Sequence, residues 1–293
     1  MKTEISHNVI HKRSYFTDVS KRFRRHKLAI GGLIVLSAII LSVLFLPSII
    51  ELDPYTTGRA KAYAAPNGQF LLGTDASGRD NLSRLIYGGR VSLTVGVFST
   101  IISMLIGLPL GVLAAYYKGY IEIIVMRLVD LFMSFPSMIL IMVLVSIVGP
   151  SIWSVTIVIG VLGWTHFARI IYASVLSIKE KEYVESARAS GARNSRIITR
   201  YILPNAIPPV IITATFRTAS SILQEASLSF LGMGVQPPAA SWGNILNAAQ
   251  SVSILIRCQW FWMPVGLLLI CTVLSINFVG DGLRDALDPR MKL

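Results

Sequence analysis

Few residues in this chain have the types and spacing for covalent chemistry. Four histidines, His7, His11, His26 and His166, are scattered, and the first three lie in a basic N-terminal stretch where a solvated, nonfunctional ring is expected. Cys258 and Cys271 are too few for a disulfide framework, so two free thiols are expected. No H-E-x-x-H, C-x-x-C or G-x-S-x-G occurs, and the usual groups of zinc proteolysis, thiol redox and acyl transfer are absent. The run GTDASGRDNLSRLIYGGR from Gly73 to Arg90 invites a phosphate-loop reading and fails it. Such a loop needs G-x-x-x-x-G-K-[ST], whose Lys reaches the phosphates, whereas Gly78 is followed by Arg79 and Asp80. The chain therefore lacks the means to hydrolyse ATP by itself. What remains is charge in unusual places. Asp130, Arg217 and Glu225 fall in apolar stretches, where a charge is costly and faces a bundle interior, a cavity or a partner. Asp130 is expected to pair with Arg127 or Arg169. Arg217 and Glu225 are about 12 Å apart along a helix, too far to pair; they are expected to line an internal path or to pack against neighbouring helices or a partner subunit.

The elements that hold these charges are read from composition and blocks. The 293 residues are 53% hydrophobic and only 14% charged, with a mean hydropathy of +0.63, which excludes an ordinary soluble domain. A stretch of about 20 apolar residues crosses a bilayer core as a helix. Six such spans are expected, at about 28–50, 91–117, 121–148, 151–172, 206–232 and 261–280. The first is too long for the apolar segment of a cleaved signal peptide. Before it, Phe16, Val19 and Phe23 recur at helical spacing among basic residues, the pattern of a short helix lying on the inner leaflet, with a solvated tail as the alternative. Asp80 is expected to cap a short helix whose Leu82, Leu85 and Ile86 lie on the bilayer surface. Pro109 is expected to kink the second span, and Gly149-Pro150 to turn a hairpin between the third and fourth.

The net charge of +12 raises nucleic acid as a partner, and its distribution rejects that reading. The cations sit between spans, as membrane insertion requires. With the N-terminus inside, twenty Lys and Arg lie in cytoplasmic segments and six outside, so both termini and the segment 173–205 are expected in the cytoplasm. The expected organisation is a cytoplasmic tail 1–27, a first span 28–50, an extracellular segment 51–90, a five-helix core 91–280 and a cytoplasmic tail 281–293. The core contains the cytoplasmic loop 173–205 and an extracellular segment 233–260.

That loop reads KEKEYVESARASGARNSRIITRYILPNAIPP from Lys179 to Pro209. Residues 182–190 hold no helix breaker and are expected to be helical, with Tyr183, Val184 and Ala187 on one face. Ala187 and Ala189 are small enough for a partner to approach closely. Gly191 can take positive φ and turn the chain sharply. Asn194 or Ser195 is expected to cap a second short helix packed back on the bundle by Ile197, Ile198 and Tyr201, and Leu203-Pro204 to end it.

The loop resembles the EAA loop of ABC importer permeases, E-A-A-x-x-x-G followed after nine residues by I-x-L-P. Glu185, Ala187, Gly191, Leu203 and Pro204 stand in register; Ser186 and Tyr201 depart from the pattern. RFRRHKLA before the first span, GTDASGRDNLSRLIYGGRVSL before the second, MRLVDLFMSFPS (126–137), EASLSFLGMGVQPPAASWG (225–243) and GDGLRDALDPR (280–290) also resemble the dipeptide/oligopeptide/nickel permease group, from about Phe16 to Arg290. The resemblance implies an all-α polytopic membrane protein with the type I importer fold and a cytoplasmic coupling hairpin. It implies a coupling surface of Tyr183, Val184, Glu185, Ala187, Ala189, Gly191, Ala192, Leu203 and Pro204. The implied partners are a second permease subunit in a heterodimer, two cytoplasmic ATPases, an extracellular substrate-binding protein and membrane lipid, with no nucleic acid. This chain would bind no cofactor; ATP and Mg would sit on the ATPases. The implied solute is a peptide, with nickel or a metal chelate as the alternative. A secondary transporter or channel is the reading from a different class, although no inverted repeat is evident.

Overall fold

The structure is a computed structural model that describes residues 15–287. The sequence expectations for residues 1–14 and 288–293, including His7 and His11, lie outside it. Among the described residues every regular element is helical: α1 (Tyr15–Phe23), α2 (Lys27–Ile49), α3 (Asn81–Tyr117), α4 (Gly119–Ser134), α5 (Ser137–Val148), α6 (Ile152–Lys179), α7 (Glu182–Ala189), α8 (Asn194–Ile197), α9 (Leu203–Phe230), α10 (Trp242–Asn247), α11 (Val252–Arg257) and α12 (Gln259–Leu287). The helices α2, α3, α6, α8–α9 and α12 are each long and apolar enough to cross a bilayer, and α4 with α5 forms a sharply bent apolar pair, the geometry of a broken span or of a re-entrant loop. Many large apolar side chains face outward, Leu28, Ile34, Ile123 and Ile147 among them, as lipid permits.

The expected third span is a bent pair, not one helix. Its halves meet at 91°. The cause is local: proline pushes the preceding residue out of the α region, and Phe135 before Pro136 is extended at φ −95°, ψ 143°. Gly149 then turns the chain into α6 at φ +96°, as expected of the Gly-Pro break.

Small residues set the closest approach in the bundle. α3 and α6 share its largest contact. A Cβ at Gly107 would lie 2.4 Å from the Trp164 carbonyl, and one at Gly111 would lie 2.5 Å from that of Ala168, so only glycine allows these backbones to meet.

The two ends of the bundle are distinct. At one, Phe23 and Ala29 pack on Gly282, and His26 approaches Asp285 at 3.6 Å, so the described termini lie side by side. The C-terminal end of α3 and the segment 179–202 share that end: Lys179 Nζ donates to the Tyr116 carbonyl at 2.5 Å, where α3 stops. At the other end Asn81 donates to the Phe261 carbonyl at 2.9 Å and Trp242 to that of Leu85 at 3.1 Å. There Asp75 accepts from Arg79 and lies 3.3 Å from Arg84. In the preceding loop, hydrogen bonds from the Thr56 side chain and from the Tyr55 and Thr56 backbone hold the Asp53 carboxyl down at about 2.

Several expectations change here. Asp80 caps a helix as expected, accepting from the Ser83 N–H at 2.8 Å, but that helix is α3 itself, continuous to Tyr117 through Pro109. Leu85 and Ile86 are buried in the bundle instead of resting on the bilayer, because the helix tilts into contact with α2, α9 and α10 rather than breaking at residue 90. The N-terminal helix α1 exists, yet Phe23 packs on α12. His26 is not a solvated ring: its Nδ1 accepts from the Ala29 N–H at 3.1 Å and caps α2. Pro47 has no N–H to give the Val43 carbonyl, and Arg90 Nε donates to that carbonyl at 2.9 Å instead. Cys258 and Cys271 are free thiols, as expected.

Candidate functional site

Two regions gather the singled-out residues. The first is the hairpin between α6 and α9. Its helix α7 ends in a complete glycine stop: Gly191 sits at φ +78°, its N–H donates to the Arg188 carbonyl at 3.0 Å, and the Ala192 N–H donates to that of Ala187 at 3.1 Å. A Cβ on Gly191 would meet nothing within 4 Å, so the requirement for glycine there is purely one of backbone conformation.

The hairpin is anchored from beneath. Val184, Ile197 and Ile202 are fully buried in one cluster with Val112, Tyr116, Phe167, Ile171 and Val175. Burying a side chain of valine's size stabilises by about 1.5–3 kcal/mol. The Tyr116 hydroxyl donates to Asn194 Oδ1 at 2.8 Å, tying α8 to the end of α3, and Lys179 Nζ lies 5.4 Å from the Tyr116 ring centroid.

This anchoring divides the predicted coupling residues. Tyr183, Glu185, Ala189, Gly191 and Pro204 are exposed; Ala187, Ala192 and Leu203 are half-buried; Val184 faces the core. Tyr183 and Val184 therefore do not share a face: successive helix positions are a hundred degrees apart, and the core takes Val184. Asn194 is the first residue of α8 and not its cap; Arg193 holds the cap position without a side-chain bond, because the Asn194 side chain is engaged by Tyr116. Leu203-Pro204 ends nothing. A π turn over Ile198–Ile202 passes directly into α9, with the Leu203 N–H reaching back to the Ile198 carbonyl. Pro204 is tolerated because it occupies the first turn of α9. The hairpin is thus rigidly continuous with a membrane span, which a sequence reading of proline as a stop missed.

The second region comprises the charges of the apolar spans, exposed at Asp130 and Arg169 and buried at Glu225 and Arg217. The Asp130 carboxylate pairs with Arg169, one of the two expected partners, and Tyr172 donates to Glu122 beside it; both links join α4 to α6. Glu225 is fully buried and satisfied: Ser92 Oγ donates to it at 2.8 Å and Ser229 Oγ at 2.7 Å. Those hydroxyls in turn accept from the Trp242 N–H at 3.2 Å and the Val235 N–H at 3.1 Å, locking α3 and α9 to the segment that leads into α10. Of the alternatives offered for Glu225, packing against a neighbouring helix is the one the hydrogen bonds fit. Serines on the facing helix supply the donors, a pairing invisible from spacing along one helix.

Arg217, eight positions away, is the opposite case. It is the fifteenth of the 28 residues of α9 and 92% buried. Its Nη2 makes two long contacts, at 3.4 Å to the Ile159 carbonyl and 3.4 Å to Gln224 Oε1, and its Nε has no partner. Among the described residues no carboxylate forms an ion pair with it. It borders a cavity of about 160 Å³ at the bend between α4 and α5, with Ser137, Thr165, His166 and Gln224. Gly163 makes room for the guanidinium: a Cβ there would lie 2.6 Å from Nη2. Sequence reasoning singled out Arg217 but not Gly163, Thr165 or Gln224. Their one signal is helical spacing, Gly163 and His166 three apart on α6, and Arg217 and Gln224 seven apart on α9.

Comparison with known proteins bears on both regions. Residues 107–293 match the family model described as binding-protein-dependent transport system inner membrane component, and residues 14–66 match the N-terminal transmembrane domain of oligopeptide transport permease C. The chain is 43% identical over 274 residues to a putative peptide permease protein of Brucella suis, covering 94% of this chain and 91% of the relative. It is 37% identical over 279 residues to the dipeptide transport system permease protein DppC of Alkalihalophilus pseudofirmus, with 95% and 91% covered. Among solved structures, a chain of the MetNI methionine ABC transporter in an inward-facing conformation is similar in fold, with a TM-score of 0.60 at 24% identity over 71% of this chain and 98% of that one.

Proposed function

This chain belongs to the family of binding-protein-dependent transport system inner membrane components, in its peptide and dipeptide permease branch, and we propose that it is one of two permease subunits of an ATP-driven peptide importer. The observation that carries this reading is the hairpin: a charged, exposed helix stopped by Gly191, anchored by Val184 and continuous through a π turn with α9. A solvating loop has no use for such a construction. A lever does, because force on α7 passes into a membrane span without a flexible joint.

In this reading two cytoplasmic ATPases bind ATP and Mg, and each permease offers one hairpin to them. Tyr183, Glu185 and Ala189 form the contact face, while Val184, Ile197 and Leu203 transmit. An external binding protein delivers the peptide, and the two bundles re-orient around it. Both termini and the hairpin face the cytoplasm in this reading, supported by twenty Lys and Arg in the sequence segments assigned to that side against six in those assigned to the other.

The test is uptake in vesicles reconstituted with the whole importer. Gly191→Val places a β-branched residue at positive φ, costing about 1–3 kcal/mol of strain, and Glu185→Lys reverses a charge on the contact face. Both variants are expected to insert normally, lose ATP-dependent uptake and retain less ATPase on co-purification. Wild-type transport by both at normal protein levels overturns the coupling role. Orientation is checked by an impermeant thiol reagent on a cysteine-free background: labelling at Ala62 and protection at Ser190 are expected in intact cells, and the reverse pattern overturns it.

A further inference from the structure

The cavity at the bend between α4 and α5 holds a charge that the bundle does not neutralise. Arg217 is 92% buried at mid-span, its Nε lacks a partner, and its two Nη2 contacts are stretched to 3.4 Å. A permanently charged guanidinium in that position is costly unless something anionic reaches it. The other polar groups around the cavity, Ser137, Thr165, His166 and Gln224, are neutral or titratable hydrogen-bonding groups and include no acid. Ser137 is also the first residue of α5, a twelve-residue half-helix with no side-chain cap. The half-helix thus starts at the cavity, and its N-terminal end carries partial positive charge. The guanidinium and the half-helix end both favour an anion. The volume of about 160 Å³ has room for a carboxylate with a short stem.

The geometry points to a carboxylate subsite on the transport path: Arg217 and Gln224 receive the C-terminal carboxylate of the travelling peptide at the bend between α4 and α5. This rests on the peptide reading proposed above. The chemistry suits that cargo. Peptides differ in every side chain but share a terminal carboxylate, and the guanidinium fork matches a carboxylate with two parallel hydrogen bonds. The cavity needs no other common feature to accept many sequences.

The experiment uses the complete importer in vesicles, with a mixture of di- to pentapeptides as free acids and the same mixture C-terminally amidated, each loaded on the binding protein at saturation. Arg217→Gln is expected to lower free-acid uptake by about tenfold or more, the scale of a lost charged hydrogen bond, and amide uptake by much less. Gln224→Glu keeps the guanidinium but places a resident carboxylate beside Nη2. It is expected to lower free-acid uptake similarly without lowering the melting temperature, so the idea is tested even where Arg217→Gln folds poorly. An equal fall of acid and amide uptake, together with loss of the co-purifying second permease, assigns the charge to a partner carboxylate and overturns the proposal. Unchanged acid uptake in Gln224→Glu overturns it as well. Wild-type vesicles that take up neither mixture overturn the peptide reading and this inference together, whereas wild-type uptake that both variants leave intact overturns this inference alone.

Discussion

Arg217 and Glu225 share one helix, lie two turns apart and are both buried, yet their surroundings are opposite. Glu225 sits among donors: Ser92 from α3 and Ser229 from its own helix reach it, and the same hydroxyls hold the backbone of Trp242 and Val235. Arg217 sits beside a cavity with one unpartnered nitrogen and stretched contacts. A buried polar group whose bonds are all made inside the chain belongs to the architecture. One whose bonds are left open keeps capacity for a further partner. The same sequence feature, a charge inside an apolar span, thus has two meanings, and hydrogen-bond accounting separates them.

Stability measurements on the purified chain in a fixed detergent can break that contrast. Glu225→Ala leaves two serine hydroxyls without their acceptor and is expected to destabilise most, by about 2–4 kcal/mol. A loss under 1 kcal/mol would remove Glu225 from the architecture. Gly163→Ala drives a methyl into the Arg217 guanidinium and Ser103 Oγ, which lies 2.2 Å from the added Cβ; overpacking of this kind costs about 1–3 kcal/mol. Unaltered melting there means that the arginine swings freely into the cavity. Ser229→Ala removes one donor to Glu225 and the acceptor for the Val235 N–H, for an expected loss of about 1–2 kcal/mol. Arg217→Gln is expected to change stability least, within about 1 kcal/mol of the parent or above it, because removing an uncompensated buried charge forfeits little. A large loss from that substitution would place Arg217 with Glu225 and dissolve the contrast.

Much of the fold is legible along the chain because its causes are local. Six apolar blocks give five long helices and one bent pair, Asp80 caps α3, and Gly191 stops α7 with positive φ. Each depends on residues within a few positions of one another. The candidate site is legible only in part. Glu185 and Ala189 are exposed on α7, as a contact face requires, but Val184 turns into the core, a choice made by Val112, Phe167 and Ile202 far away in sequence. Pro204 reads as a helix end, since proline often is one; here the π turn before it carries the chain on.

Neighbouring residues are enough to specify a membrane bundle with a glycine-stopped hairpin and charges within its apolar stretches. Periodicity, block length and turn chemistry are properties of neighbouring residues. Which of those charges are buried and which are answered depends on the packed helices. That Arg90 fills the carbonyl opened by Pro47, that Ser92 meets Glu225 across 133 positions, and that no described residue hydrogen-bonds Arg217 Nε depend on which helix faces come together. Glycines at 96, 107, 111 and 163 bring those faces close enough for a single hydroxyl or guanidinium to be satisfied or left open. At such short range a rotation of one helix by one residue exchanges the partners, and spacing along a single helix holds no information about its neighbour's rotation.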